Sequence, residues 1–325
     1  MIYRAVRVVV KRQQLKRLEN CAQRDDSCLA VKSLLTTTII VSLLGTPAFA
    51  AQPPLPPEGW AEGYVITNGI RIHYWRTGGD KPVIIMAHGS SDNGLCWTNL
   101  AKELTNEYDI ILPDARGHGL SDPPAKSDPA DAQAEDLAGL IRKLKLEKPI
   151  VMGHSMGSSS VAWFAAKYPN IPRAVILEDP RLTPRLPFNS RTSNNTEAQE
   201  KRRAQILARN NMSYDRIVAD QLRKNPRWGR SEIEIWATSK IQHHPNTAYR
   251  RRGNRPQTTE IFGKITAPTL ILKADAQGEL RKKNIEVTSI LKHGKIVHID
   301  GAGHNVRRDQ KQRLLKALKA FLAGL

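Results

Sequence analysis

Ser155 lies in the run Gly153-His154-Ser155-Met156-Gly157, a G-x-S-x-G pattern. A serine hydroxyl becomes a useful nucleophile only when a neighbouring base takes its proton. The apolar run Pro149–Gly153 reads as a strand and Ser155–Tyr168 as a helix, so the serine falls on a strand-to-helix turn, the context this spacing requires. The flanking glycines remove side chains where strand and helix approach closely, and the serine is pushed out at the strand's C-terminal end. The helix N-terminus behind it offers free N–H groups and the positive end of the helix dipole.

The base expected for this serine is His304, in Gly301-Ala302-Gly303-His304 directly after a strand ending Ile299-Asp300. His118 in a Gly-rich turn, His154 at the variable position of the serine motif, and His243 and His244 are weaker candidates. A histidine base needs a carboxylate to orient it. Asp275, which follows the strand Thr269–Lys273, is the expected acid; Asp179, in Leu177-Glu178-Asp179-Pro180 after the preceding core strand, is the alternative, ahead of Asp300 and Glu178. A tetrahedral intermediate needs N–H donors for its oxyanion. The backbone groups of Ser90, in His88-Gly89-Ser90-Ser91, and of Met156 are placed to supply them. Trp97, Trp228 and Trp236 are the aromatic side chains expected to wall a substrate pocket, each with core packing as its competing role. The turn-rich run Asp114–Asp122 reads as structural, with Arg116 bound to carbonyls or carboxylates beneath the site.

These residues must be carried by strand ends. A hairpin is expected from Gly63–Thr67 and Arg71–Trp75 around the Asn68-Gly69 turn. Further strands are expected at Val83–Ala87, Asp109–Pro113, Pro149–Gly153, Ala174–Glu178, Thr269–Lys273 and Lys295–Ile299. Helices are expected near Leu95–Glu107, Ala132–Leu144, Ser155–Tyr168, Glu279–Leu291 and Arg307–Leu322. Short apolar strands alternating with helices predict an α/β protein with a mostly parallel sheet covered on both faces. The first core part spans residues 61–179 and the second 268–325. Residues 180–267 interrupt the rhythm, with helical stretches near Glu197–Asn210 and Tyr214–Lys224, and are expected to form an inserted helical cap.

The 325 residues carry 50 Lys/Arg against 31 Asp/Glu, a formal charge of +19. Residues 1–50 hold eight Lys/Arg and three Asp/Glu, which leaves 42 against 28, or +14, beyond them. The insert alone has 18 Lys/Arg and seven Asp/Glu. A basic insert can steer an anionic substrate, rest on an anionic envelope, or simply be a solvated face. No nucleic-acid motif accompanies the charge, so no nucleic-acid partner is expected. Cys21, Cys28 and Cys96 have no metal-ligand spacing, so no metal site is expected. Residues 1–50 read as a leader. Lys32 precedes the uncharged run Ser33–Gly45, and Ala48 and Ala50 form a small-residue site, so a secretory signal peptide cleaved after Ala50 is expected. The run is too short to span a bilayer comfortably, so no stable membrane insertion is expected after cleavage. Residues 1–30 exceed an ordinary n-region, and Val31 is an alternative start. Residues 51–60 form a Pro-rich lead-in.

HGSSDNG, DARGHGLSD, GHSMG, LEDP and GAGH occur in that order, and over residues 60–325 the sequence resembles the α/β-hydrolase superfamily, of the capped esterase, lactonase and carbon–carbon hydrolase type. The resemblance implies the α/β-hydrolase fold, with an eight-stranded, mostly parallel sheet, a cap after the sixth strand, a Ser-acid-His triad and no cofactor. Family members with aspartate at the elbow cleave carbon–halogen bonds or epoxides; serine stands there in this chain. The family's G-x-x-D after the penultimate strand reads Lys273-Ala274-Asp275-Ala276, with aspartate one place early, so Asp275 and Asp179 both stay open as the acid. The expected protein is a periplasmic or secreted serine hydrolase acting on a small carboxylic ester or lactone, with an anionic substrate among the options. Carbon–carbon bond hydrolysis or acyl transfer by the same triad, and ligand binding by a non-catalytic hydrolase fold, are the competing readings.

Overall fold

The computed structural model describes residues 54–184, 196–249 and 254–325. The leader expected over residues 1–50, the start of the lead-in and parts of the insert (185–195 and 250–253) lie outside the described residues.

Eight strands form one sheet: β1 (Ala61–Thr67), β2 (Ile70–Arg76), β3 (Val83–Ala87), β4 (Asp109–Pro113), β5 (Ile150–His154), β6 (Ala174–Glu178), β7 (Thr269–Ala274) and β8 (Gly294–Ile299). Their order is β1-β2-β4-β3-β5-β6-β7-β8. The hairpin β1–β2 is antiparallel and β2 joins β4 antiparallel; the other pairs are parallel. The central strands are apolar throughout because both their faces are covered. Ile85, Ile111, Val151, Val175 and Ile271 pack under helices Ala132–Lys143 and Met156–Lys167. Their neighbours Ile84, Ile110, Met152, Ile176 and Leu270 face the other way, against the helix Lys311–Leu322. That helix presents Leu314, Leu315, Leu318 and Leu322 on one face, the spacing of an amphipathic helix laid on a sheet.

Two expected helices are broken. The stretch from Leu95 forms a tight turn, Gly94–Trp97, and one helical turn, Thr98–Ala101. Here the Gly94 amide donates to Asp114 Oδ1 at 2.6 Å and pins the chain against β4. The C-terminal helix divides into Val306–Asp309 and Lys311–Leu322 around Gln310. The first piece turns inward because Arg307 and Arg308 are drawn into a buried ionic cluster.

Between β6 and β7 lie helices Thr196–Asn210, Tyr214–Lys224, Arg230–Ile241 and Thr258–Phe262. The second and third share a small apolar core of Ile217, Val218, Ile233 and Ala237. Arg230–Ile241 is a helix not expected from the sequence. No helix among the described residues is long and apolar enough to cross a membrane.

Candidate active site

Ser155 sits where β5 turns into the helix Met156–Lys167, with φ 52° and ψ −106°. Only a left-handed residue can make so sharp a turn, and the strain exposes the side chain. The neighbouring glycines are steric necessities. A Cβ on Gly153 would stand 2.4 Å from the Gly157 carbonyl carbon, and one on Gly157 would stand 2.1 Å from Ala87 O. The turn is fixed further by the Ser155 amide, which donates to Glu178 O at 3.0 Å.

The loop after β8 brings His304 to the serine. Ser155 Oγ–H donates to His304 Nε2 at 2.8 Å. On the other side of the ring, His304 Nδ1–H donates to Asp179 Oδ2 at 2.5 Å. Asp179 stands at the end of β6 with φ 43°, and its amide donates to Leu272 O at 2.8 Å. Burial alone would raise its carboxyl, but His304, Lys273 and the Ala274 amide hold it below the ordinary aspartate range. The hydrogen bond that His304 donates to Asp179 raises the histidine, with burial opposing it.

The expected acid Asp275 is therefore not the residue against His304; Asp179 is. The reason is direction. Asp275 lies past the end of β7 and turns toward the histidine loop's backbone, accepting from the Gly301 amide at 2.9 Å and from Gln277 Nε2 at 3.0 Å. Its own amide donates to Ala302 O at 2.9 Å. Asp275 thus braces the loop that carries His304. Glu178 is fully buried and taken by the Arg307 amide and guanidinium, at 2.8 and 3.0 Å. Asp300 is exposed beside Arg313.

The other histidines serve the frame. His154 is buried, donates from Nε2 to His304 O at 2.9 Å, and is pulled down to about 4 by burial. His118 and His243 stack with ring centroids 4.7 Å apart. His244 caps the turn Pro245–Ala248. Arg116, fully buried, binds Asp136 at 2.7 and 2.6 Å and pairs with Asp128, beneath the site as its turn-rich loop suggested.

A cleft of about 500 Å³ opens over the serine. Its lining includes Ser155, Met156, Arg181, Arg255, Lys273 and His304. None of the three expected tryptophans is among its described lining residues. Trp97 is fully buried in the core below the sheet, with the Arg307 guanidinium 4.1 Å from its ring. Trp228 Nε1 donates to Asp309 Oδ1 at 2.7 Å, and its ring borders a separate cavity of about 210 Å³ with Glu232 and Arg308. Trp236 packs edge-on against Trp228, centroids 6.4 Å apart. Trp97 is spent wholly in core packing, while Trp228 and Trp236 are half-buried and pack against each other. Ser90 is exposed on the loop after β3, and Met156 opens its helix, where amides have no intrahelical acceptor.

Sequence reasoning missed a charged cluster behind the cleft. Lys240, from the insert, donates to Ser91 O and to Asp92 Oδ1, both at 2.7 Å. Asp92 Oδ2 also accepts from Arg307 at 3.2 Å and Arg308 at 3.0 Å. Arg308 in turn pairs with Glu232 of the insert at 2.6 Å. Burial alone would raise Asp92, but Arg308, Lys240 and Arg307 hold it well below the ordinary range. Lys273 was missed as well: its Nζ lies 2.5 Å from Asp179 Oδ1. The available signal was a lysine at the apolar end of a core strand.

Comparison with known proteins places the chain among hydrolases. Over 261 residues the chain is 28% identical to 2-(acetamidomethylene)succinate hydrolase of Mesorhizobium japonicum, covering 76% of this chain and 90% of that one. It is 27% identical over 284 residues to the bifunctional esterase/perhydrolase DCH of Acinetobacter calcoaceticus, covering 80% and 99%. The crystal structure of E-2-(acetamidomethylene)succinate hydrolase superposes with a TM-score of 0.64 at 24% identity, covering 81% of this chain and 99% of that one, a likeness of fold. Residues 82–306 match the family model of the alpha/beta hydrolase fold, a span from the first core strand to just past His304, and the chain belongs to that family.

Proposed function

We propose that the protein is an exported serine hydrolase that cleaves a carboxylic ester or lactone through Ser155, His304 and Asp179. The observation that carries this reading is the unbroken chain from Asp179 Oδ2 through His304 to Ser155 Oγ, with links of 2.5 and 2.8 Å.

Ser155 Oγ attacks the substrate carbonyl carbon as its proton passes to His304 Nε2. The imidazolium is held by Asp179, whose carboxylate stays ionised. The oxyanion is received by the amides of Ser90 and Met156. The intermediate collapses, the C–O bond to the leaving alcohol breaks, and His304 returns the proton to that oxygen. Water then attacks the acyl-enzyme with His304 as base, which releases the acid and restores Ser155.

Arg181 and Arg255 in the cleft lining favour a substrate whose acyl or leaving part carries a carboxylate. The basic insert favours the same class. Residues Lys32–Ala50 supply the export signal on this reading.

The test uses protein recovered from the periplasm of a Gram-negative host. A fluorophosphonate should label Ser155 in a chain whose intact mass begins at Ala51, and Ser155→Ala should not label. Among esters, a monoester of a dicarboxylic acid should turn over faster than its neutral diester, and the preference should shrink as salt is raised. Native protein that neither labels nor hydrolyses small esters would overturn the hydrolase reading; retention in the cytoplasm at full length would overturn export.

A further inference from the structure

The carboxylate that holds His304 is itself held by a full positive charge. Asp179 gives Oδ2 to His304, while Oδ1 accepts from Lys273 Nζ at 2.5 Å and from the Ala274 amide at 3.2 Å. Lys273 Nζ also donates to Pro180 O at 3.0 Å, a second contact that holds it beside Asp179. Neutral backbone donors would suffice to orient an aspartate. A half-buried ammonium does more, because it competes with the imidazolium for the same negative charge.

We propose that Lys273 is a positioning residue that, through Asp179, limits how readily His304 takes up a proton from solvent and so sets the acid limit of activity. The proposal rests on the triad reading above. When Ser155 is attacking, His304 must be neutral to accept its proton. An unopposed carboxylate at Nδ1 would keep the ring protonated to higher pH and idle the enzyme there. The Lys273 charge takes up part of that pull, and its side chain is 15% exposed, so solvent screens it little.

The surrounding charges act differently. Glu178 on β6, paired with Arg307, pushes His304 up, the opposite sense to Lys273. Asp275 beyond β7 is turned onto the Gly301 amide. Asp309, after the histidine loop, accepts from Gly303 and Trp228. His298 on β8 faces Asn284, and burial lowers it. His154 on the elbow side, with its ring 4.9 Å from that of His304, is likewise lowered by burial. Arg181 donates to the carbonyls of Thr183 and Pro184. Among the described residues, Lys273 and His304 alone bring a charged or titratable side chain within hydrogen-bonding distance of Asp179.

The test is the pH dependence of the rate at which a fluorophosphonate labels Ser155, which reads the free enzyme. In Lys273→Met the acid limb should move to higher pH by about one unit, so that labelling on that limb falls roughly tenfold. Lys273→Arg, which keeps the charge, should leave the limb near its wild-type position. Lys273→Gln keeps a hydrogen bond without the charge; its limb should move with that of the methionine variant, and it answers the question if Lys273→Met loses its native circular dichroism. The His304 imidazole resonance, assigned by its loss in His304→Gln, should titrate with the same ordering whether or not labelling occurs. Uncharged variants that label more slowly by one factor at every pH, with the His304 midpoint unmoved, would overturn the role of Lys273. A wild-type protein that does not label would instead overturn the hydrolase reading, while the resonance still decides on Lys273.

Discussion

At the scale of single residues, the question is which carboxylate serves the histidine. Asp179 and Asp275 follow adjacent parallel strands, and either chain end can reach a loop after β8. The choice turns on a backbone angle, φ 43° at Asp179, which swings its side chain toward His304. A sequence does not display that angle, so Ser155 and His304 were legible as a pair while the acid was not. The two roles separate by substitution. Asp179→Asn leaves a side chain that can present an N–H to Nδ1 and trap the wrong tautomer, so kcat should fall roughly a thousandfold or more. Asp275→Asn keeps an oxygen for the Gly301 amide, so the loss should stay within about tenfold, as for a neutral hydrogen bond retained at an exposed site. Ester turnover and fluorophosphonate labelling of both variants measure this directly. Equal collapse of the two would return Asp275 to the catalytic unit.

At the scale of elements, the central strands were legible because they are buried on both faces and read as short apolar runs, and the edge hairpin because of its Asn68-Gly69 turn. The helix Arg230–Ile241 was not, for a physical reason. Ile233 and Ile235 alternate with polar residues and mimic a strand, while the helical stripe Ile233, Trp236, Ala237, Lys240 ends on a charge. Lys240 is only 2% exposed and occupies a core position because Asp92 awaits it. Desolvation lowers its ammonium, and Asp92 opposes that fall. The pair joins the insert to the loop that carries Ser90, which makes the insert part of the site's support. Removing partners of this cluster should therefore have unequal effects. Lys240→Met leaves Asp92 with two arginines and should lower stability by about 1–3 kcal/mol, the cost of a buried interaction lost with its partner still compensated. Asp92→Asn leaves buried Lys240 with no carboxylate, and Arg307 and Arg308 with only Glu178 and Glu232, and should lose about 3–5 kcal/mol. Urea denaturation of both variants gives the comparison; a Lys240→Met variant as unstable as Asp92→Asn would mean that the arginines do not compensate Asp92. Lys240→Met should also depress kcat more than it raises KM, since in the proposed mechanism the loop it holds meets the oxyanion and not the ground-state substrate.

At the scale of the whole molecule, the excess of basic residues in the insert was legible by counting, but its links to the core were not. Lys240 meets Ser91 across 149 positions, and Arg307 meets Asp92 across 215. Strand adjacency does not give such pairings: β5, β6 and β7 lie between β3 and β8 in the sheet, and the chain beyond β8 reaches back to the loop after β3 through Arg307 and Arg308. The same burial gives the molecule a defined response to acid. His154 is pushed down to about 4 by burial, and His243 to about 3 by burial and the neighbouring Arg209. Arg209 donates to His243 Nδ1 at 2.9 Å, so a proton there would meet a guanidinium. In the unfolded chain both rings take protons near pH ~6.5. As pH falls below that value the unfolded state gains protons that the folded state refuses, and stability is lost until the folded values are reached. Two such groups give a slope of about 2.7 kcal/mol per pH unit between roughly pH 6 and 4.5. His304 acts in another window: its folded value is raised, so its contribution is full below the unfolded value and is lost as pH rises through the folded one. Asp92, held low, contributes stability that is lost only below the ordinary aspartate range. Urea unfolding at closely spaced pH values from 7 to 4.5 should therefore show a steep decline, and His243→Gln should remove about one proton from its slope. A flat profile in wild type would mean that the two rings are already protonated in the folded protein, and the charge arrangement around His154 and His243 would have to be redrawn.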